Sequence, residues 1–149
     1  MNIEEDKQAV KQQKQSIQTL VFPQHPQWRE ALYNDKHFGT ILRALRGEVE
    51  AKDQKELKKT LTNFELIDNI LCLRQNGLYR AVVPFQFRRQ LLTVYHNDKK
   101  AGHKGYDQTL LLVSKTYWWP GLTQDVKNFV QACIWYPQTR QRPDGWMGS

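Results

Sequence analysis

The amino-acid sequence predicts a mainly α fold, in which a helical N-terminal region precedes a β-hairpin and a compact three-helix bundle of helix-turn-helix character. Two observations carry this prediction. The dipeptide Asn76-Gly77 separates two β-prone runs between residues 70 and 83, and both of its residues tolerate the positive φ of a tight hairpin turn. After Pro84, three stretches place apolar residues at helical spacing and are joined by short connections, as in helix-turn-helix arrangements.

Each of the three helical stretches has an apolar stripe that would face a shared core. The first stripe leaves Arg88 and Arg89 directed outward, and the run Trp118–Gly121 predicts a packing corner before the third helix. The stripes are Phe87, Leu91, Val94 and Tyr95 in the first helix, Tyr106, Leu110, Val113 and Tyr117 in the second, and Leu122, Val126, Phe129, Val130 and Cys133 in the third.

The remaining segments are predicted from composition and from helix breakers. Residues 1–22 are polar, with few apolar positions, and are expected to be a flexible N-terminus or a frayed helix. Residues 23–66 begin at a proline break and are expected to form a helical, linker-like region. At its end, a short helix is predicted from the spacing of Leu57, Leu61, Phe64 and Ile67. The main domain covers residues 67–140, and residues 141–149 form a flexible tail.

The positive charge lies entirely in one half of the chain. Residues 1–73 contain eleven Lys and Arg against eleven Asp and Glu, whereas residues 74–149 contain eleven against four, which accounts for the net charge of +7. Such an asymmetry indicates a polyanionic partner for the C-terminal half. The alternative is a basic surface that serves solubility. No apolar run is long enough to span a bilayer, so we expect an intracellular protein without a membrane partner.

His96, His103 and Cys133 are candidate zinc ligands. Imidazole nitrogen and thiolate sulfur suit tetrahedral zinc, and metal binding supplies folding free energy to small domains. His96 closes the first predicted helix, His103 precedes the second and Cys133 closes the third, so the three side chains are expected to converge at one end of the bundle. Taken singly, each has a structural alternative: a solvated histidine or a core cysteine.

These residues belong to a longer pattern that resembles a known domain. The run from His96 to Gly105, the run Thr116-Tyr117-Trp118-Trp119-Pro120-Gly121-Leu122, and Cys133 occur in the order found in the His-His-Cys-Cys N-terminal domain of retroelement integrases, and are most similar to Gypsy-class LTR retrotransposons. The resemblance covers roughly residues 67–140. It implies zinc binding, support of multimerisation and a part in holding DNA ends.

The sequence departs from the family pattern at its last ligand. Where the pattern ends in Cys-x-x-Cys, Cys133 is followed by Tyr136. A phenol is not a usual ligand of structural zinc, so Tyr136 occupies the position of the missing cysteine, and zinc affinity should fall. Cys72 lies in the predicted hairpin and is not assigned to the site.

Nine basic residues are candidate contacts to DNA or RNA. Cations of this kind bind phosphates and give salt-dependent affinity with little sequence reading. The densest cluster of these candidates is Lys99, Lys100 and Lys104, in the loop that contains His103. The alternative is that this basic loop is only solvated. The candidates are Arg88, Arg89, Lys99, Lys100, Lys104, Lys115, Lys127, Arg140 and Arg142.

The sequence predicts a non-enzymatic protein. The resembling integrases place their catalytic carboxylates downstream of the zinc domain, whereas the present sequence ends soon after Tyr136, with Asp144 in a Pro-Asp-Gly turn. No Walker loop, dinucleotide fingerprint or small-molecule site is recognisable. The leading hypothesis is a nucleic-acid-binding module derived from an integrase, with nuclear residence implied by the resemblance. The alternatives are a protein-interaction or oligomerisation module, and a decayed retrotransposon fragment.

Overall fold

The computed structural model describes residues 3–49, 55–96 and 105–135. Helices dominate these residues, which confirms the predicted mainly α class, and none of the described helices is both long and apolar enough to cross a bilayer. The elements are α1 (Ile3–Gln18), a 3₁₀ turn (Phe22–Gln24), α2 (Pro26–Asn34), α3 (Lys36–Leu45), α4 (Lys55–Leu61), β1 (Phe64–Ile67), β2 (Ile70–Gln75), β3 (Leu78–Val82), α5 (Phe85–His96), α6 (Tyr106–Ser114), β4 (Tyr117–Trp118) and α7 (Leu122–Trp135).

The N-terminal segment, residues 1–22, was expected to be a flexible N-terminus or a frayed helix, and the structure agrees with the helical alternative. Most of it is α1, which packs against the sheet through the buried side chain of Ile17. The Gln13 amide binds the free edge of β3: its Nε2 donates to the carbonyl of Gly77 at 2.9 Å, and its Oε1 accepts from the N–H of Tyr79 at 2.8 Å. Lys14 also pairs with Glu65 at 2.8 Å. These are tertiary contacts, which composition does not reveal.

Helices α2 and α3 are separated by a capping residue. The Asp35 carboxylate accepts from the backbone N–H groups of His37 and Phe38 at 2.9 Å each and so begins α3. At the other end, Gly47 has φ 76°, the left-handed conformation that is common in a glycine directly after a helix. Both helices direct apolar side chains into the core, among them Trp28 and Ile41.

The sheet is larger than the predicted hairpin. The turn at Asn76 and Gly77 has φ 51° and 76° and joins the antiparallel strands β2 and β3, which confirms the hairpin. However, β1 pairs antiparallel with β2, and β4 pairs parallel with β3, which gives the order β1-β2-β3-β4. The predicted short helix ends at Leu61, because Phe64–Ile67 forms β1. A domain boundary between residues 66 and 67 would therefore cut through a strand.

The three C-terminal helices share one core with the sheet. Leu91 of α5, Val113 of α6 and Val126 of α7 are fully buried in the same apolar cluster as the residues of β2 and β3. The predicted stripe of α5 is wrong at one position: Val94 is 51% exposed, and Leu92 is buried instead. Leu92 lies about 100° around the helix from the buried Leu91 and lines a groove beside α7, so the buried face extends past one edge of the predicted stripe and leaves Val94 outside it.

The contact of Gln13 with the β3 edge predicts a specific loss of stability. We expect Gln13→Ala to lower the free energy of unfolding by about 1–3 kcal/mol, because the part-buried N–H of Tyr79 loses its acceptor. Gln12→Ala is the matched control, since Gln12 is an exposed glutamine of the same helix. Urea denaturation of both variants measures the difference, and equal stabilities would show that α1 is not held by this contact.

Candidate metal site and nucleic-acid interface

His96 lies at the end of α5, where α5, α6 and α7 meet. The residue is 2% exposed. Its Nδ1 lies 3.3 Å from the hydroxyl oxygen of Thr109 on α6, and its ring packs edge-on against Phe129 of α7, with the centroids 5.7 Å apart. The imidazole therefore contacts both neighbouring helices of the domain.

Cys133 lies on the same side of α7 as Phe129, whose ring contacts His96. It follows Phe129 by four residues, about one helical turn, and is 8% exposed. The structure thus positions two of the predicted ligands at corresponding ends of α5 and α7. His103 and Tyr136 lie outside the described residues, and within the described ranges no three His, Cys, Asp or Glu side chains form a group that could hold a metal ion. The imidazole and thiol suit zinc chemically but supply only half of a tetrahedral set.

Cys72 is separate from this site. It lies in β2 with 0% exposure, and its Sγ is 3.5 Å from the carbonyl of Ile70. Burial raises the pKa of the Cys72 thiol to about 12, and the nearby Glu65 adds to the effect. Cys72 is a free thiol. Cys72 is therefore a core side chain and not a substitute for the missing ligand.

Arg88 is not directed outward as predicted. Its guanidinium is half-buried, and its Nε donates to the carbonyl of Val83 at 3.0 Å. The same group lies over the rings of Phe85 and Trp119, at 5.7 and 5.8 Å. Burial lowers the pKa of Arg88, and Asp125 is among the charges that oppose this shift. Arg88 therefore joins α5 to the end of β3, which limits its role in binding a partner.

The other described candidates are exposed, but they do not share one face. Arg89 is exposed on α5, with its guanidinium 5.8 Å from the ring of Phe129. Lys127 is exposed on α7 and lies two residues, or about 200° around the helix, from both Asp125 and Phe129. Lys115 is exposed at the end of α6. The candidates outside the described residues are Lys99, Lys100, Lys104, Arg140 and Arg142.

A groove of about 460 Å³ runs between α5 and α7 and reaches Cys133. Its apolar lining includes Leu92, Phe129 and Ala132, while Arg88, Arg89 and Asp125 are among its polar residues. The Asp125 carboxylate accepts a hydrogen bond from Trp119 Nε1 at 2.8 Å.

Phe85 lines this groove and is 75% exposed, which was not predicted from the sequence. One signal was present: Phe85 precedes the buried Phe87 by two residues, about 200° around the helix, and so cannot share its face. A large apolar side chain on the opposite face from the core is therefore exposed unless a partner covers it.

Comparison with known proteins identifies the domain that contains this site. Residues 83–142 match the integrase zinc-binding domain family. The chain is 36% identical over 89 residues to the Pro-Pol polyprotein of simian foamy virus type 1, and 36% identical over 61 residues to Gypsy retrotransposon integrase-like protein 1 of Bos taurus.

These alignments cover 60% and 40% of this chain, but only 7% of the viral polyprotein and 12% of the bovine protein. No solved structure matches the chain. The matched segment contains His96, Cys133 and the α5–α7 groove. Residues 83–142, which include α5, α6 and α7, are therefore similar to the integrase zinc-binding domain family.

Proposed function

We propose that this protein is a non-catalytic nucleic-acid-binding module with a zinc site that lacks one family ligand. The observation that carries the proposal is the coincidence of the family match, over residues 83–142, with the half of the chain that contains the whole positive charge excess. A polyanion is the natural partner of such a charge distribution. Helix-turn-helix character of α5 to α7 is part of this proposal.

The residues that would hold zinc are His96, His103 and Cys133. The placement of His96 and Cys133 at one end of α5 and α7 supports this set. When bound, zinc would cross-link the ends of the helices and add folding free energy. Tyr136 stands at the fourth position, where a phenol is a poor ligand. We therefore propose a site that binds zinc more weakly than a complete His-His-Cys-Cys set.

Binding to nucleic acid would depend on exposed cations rather than on Arg88. Arg89, Lys115 and Lys127 are exposed around the three helices. Lys99, Lys100 and Lys104 add the densest cluster among the nine candidates, close to His103 in the sequence. Because these cations are spread over the domain, they favour contacts to several phosphates and little reading of base sequence.

Self-association or binding to another protein is the second candidate function. Val94 on α5 and Leu111 on α6 are each 51% exposed, and both lie in the matched domain. Exposed apolar side chains that join into a contiguous patch mark contacts between proteins, so a second copy that covers these two side chains would support self-association. Light scattering on the full chain tests this candidate, since a strictly monomeric particle would contradict self-association.

The charge distribution predicts salt-dependent binding to duplex DNA. If about three phosphates are contacted, the association constant should fall roughly 40-fold between 50 and 200 mM salt. Lys99→Gln combined with Lys100→Gln should reduce the salt slope by about two. The matched control is Lys58→Gln with Lys59→Gln, an adjacent lysine pair in α4, in the half of the chain without excess charge. Fluorescence anisotropy measures both, and undetectable affinity at both salt concentrations would contradict nucleic-acid binding.

The proposed zinc site predicts sensitivity to chelation. Treatment of the purified protein with EDTA should lower Tm by at least about 5 °C, because bound metal stabilises the folded state. Tyr136→Cys should raise zinc affinity by restoring a full set of ligands, whereas Tyr136→Ser, which removes the phenol without adding a thiol, should not. Calorimetry and elemental analysis provide the measurements. An unchanged melting curve together with no detectable zinc would mean that packing alone holds the domain.

A further inference from the structure

The first turn of α5 combines an exposed aromatic ring with two guanidinium groups. Phe85, the first residue of α5, is 75% exposed, whereas Phe87, two residues later in the same helix, is buried. Arg88 lies over the Phe85 ring, and Arg89 lies over Phe129 across the groove. A ligand that enters here would meet a flat aromatic surface and positive charge within one turn of the helix.

The two arginines are not equally available to such a ligand. Arg88 donates to the carbonyl of Val83 and is half-buried, so it is held against the protein. Arg89 is exposed, and no carboxylate of the described residues forms an ion pair with it. The nearest acid in the groove, Asp125, already accepts from Trp119 and faces Arg88. The positive charge open to a ligand is therefore that of Arg89.

We propose that the α5–α7 groove binds an unpaired nucleotide of a single-stranded nucleic acid, with its base stacked on Phe85 and its phosphate at Arg89. This proposal rests on the proposed nucleic-acid binding and specifies which ligand the α5–α7 groove binds. Every base has a π-face that can stack on an aromatic side chain, but in a duplex these faces are covered by neighbouring base pairs. An exposed phenylalanine beside a free guanidinium therefore selects unpaired over paired bases.

An acidic amphipathic helix is the competing ligand, since carboxylates would also meet Arg89. The groove has an apolar lining, which a helix could cover. The charge excess of this half of the chain and its family match favour nucleic acid instead. Binding of a peptide is accordingly an outcome of the test.

The test measures the affinity of the full chain for two fluorescent ligands, a single-stranded 12-nucleotide oligothymidine and a blunt 12-base-pair duplex. Phe85→Ala should weaken binding of the single strand roughly tenfold, the loss expected for one stacked base, and should leave duplex affinity unchanged. Phe85→Trp should retain single-strand affinity, because indole also stacks. Gln90→Ala is the control, since Gln90 is exposed on the same helix and lies outside the groove, and should change neither affinity.

Three outcomes would overturn the inference. One is an unchanged single-strand affinity in Phe85→Ala, and another is an equal loss for both ligands. The third is tight binding of a glutamate- and leucine-rich helical peptide, abolished by Phe85→Ala, when the single strand does not bind. In the first two cases, retained binding of the wild-type chain to the duplex would leave the proposed function standing. Failure of the wild-type chain to bind either nucleic acid would contradict the proposed function itself.

Discussion

Trp119 is the side chain through which the sheet, α5 and α7 are held together. It follows β4, is completely buried, and donates from Nε1 to the carboxylate of Asp125 in the first turn of α7. Arg88 of α5 lies over its ring and binds the carbonyl of Val83, just after β3. Because one ring connects these elements, the position of the groove and that of the helix ends near His96 both depend on it.

Local signals in the sequence were sufficient for much of this architecture. Asn76-Gly77 specified the hairpin because both residues accept positive φ. The helical apolar spacing located α5, α6 and α7, and the run of two tryptophans, a proline and a glycine marked the corner in which Trp119 is buried. In each case, the determining contacts lie within a few residues along the chain.

The elements that were missed depend on partners distant in sequence. Strand β4 has two residues and is defined by parallel pairing with Ala81 and Val82. Two residues are too few for an alternating apolar pattern that would predict a strand. Helix α1 is polar and is fixed by Gln13 at a strand edge more than sixty residues away. The role of Arg88 was misjudged for the same reason: a long side chain near apolar surface can lie over aromatic rings instead of reaching solvent. For the candidate zinc ligands, chemical type, order and convergence at one end of the bundle could be predicted, whereas the burial of His96 against Phe129 could not, because it is a tertiary property.

Because β3 pairs with β4, the segment that matches the family and the segment that forms one packed core begin at different residues. The family match begins at Val83, directly after β3, whereas β4 lies within the matched segment and takes its hydrogen bonds from β3. The segment that matches the family is thus smaller than the segment that is needed to bury the shared core. A segment that contained only residues 83–142 would lack Ala81 and Val82, with which β4 pairs, and would leave the apolar side of the helices uncovered. Hairpin and helices should therefore be inherited together.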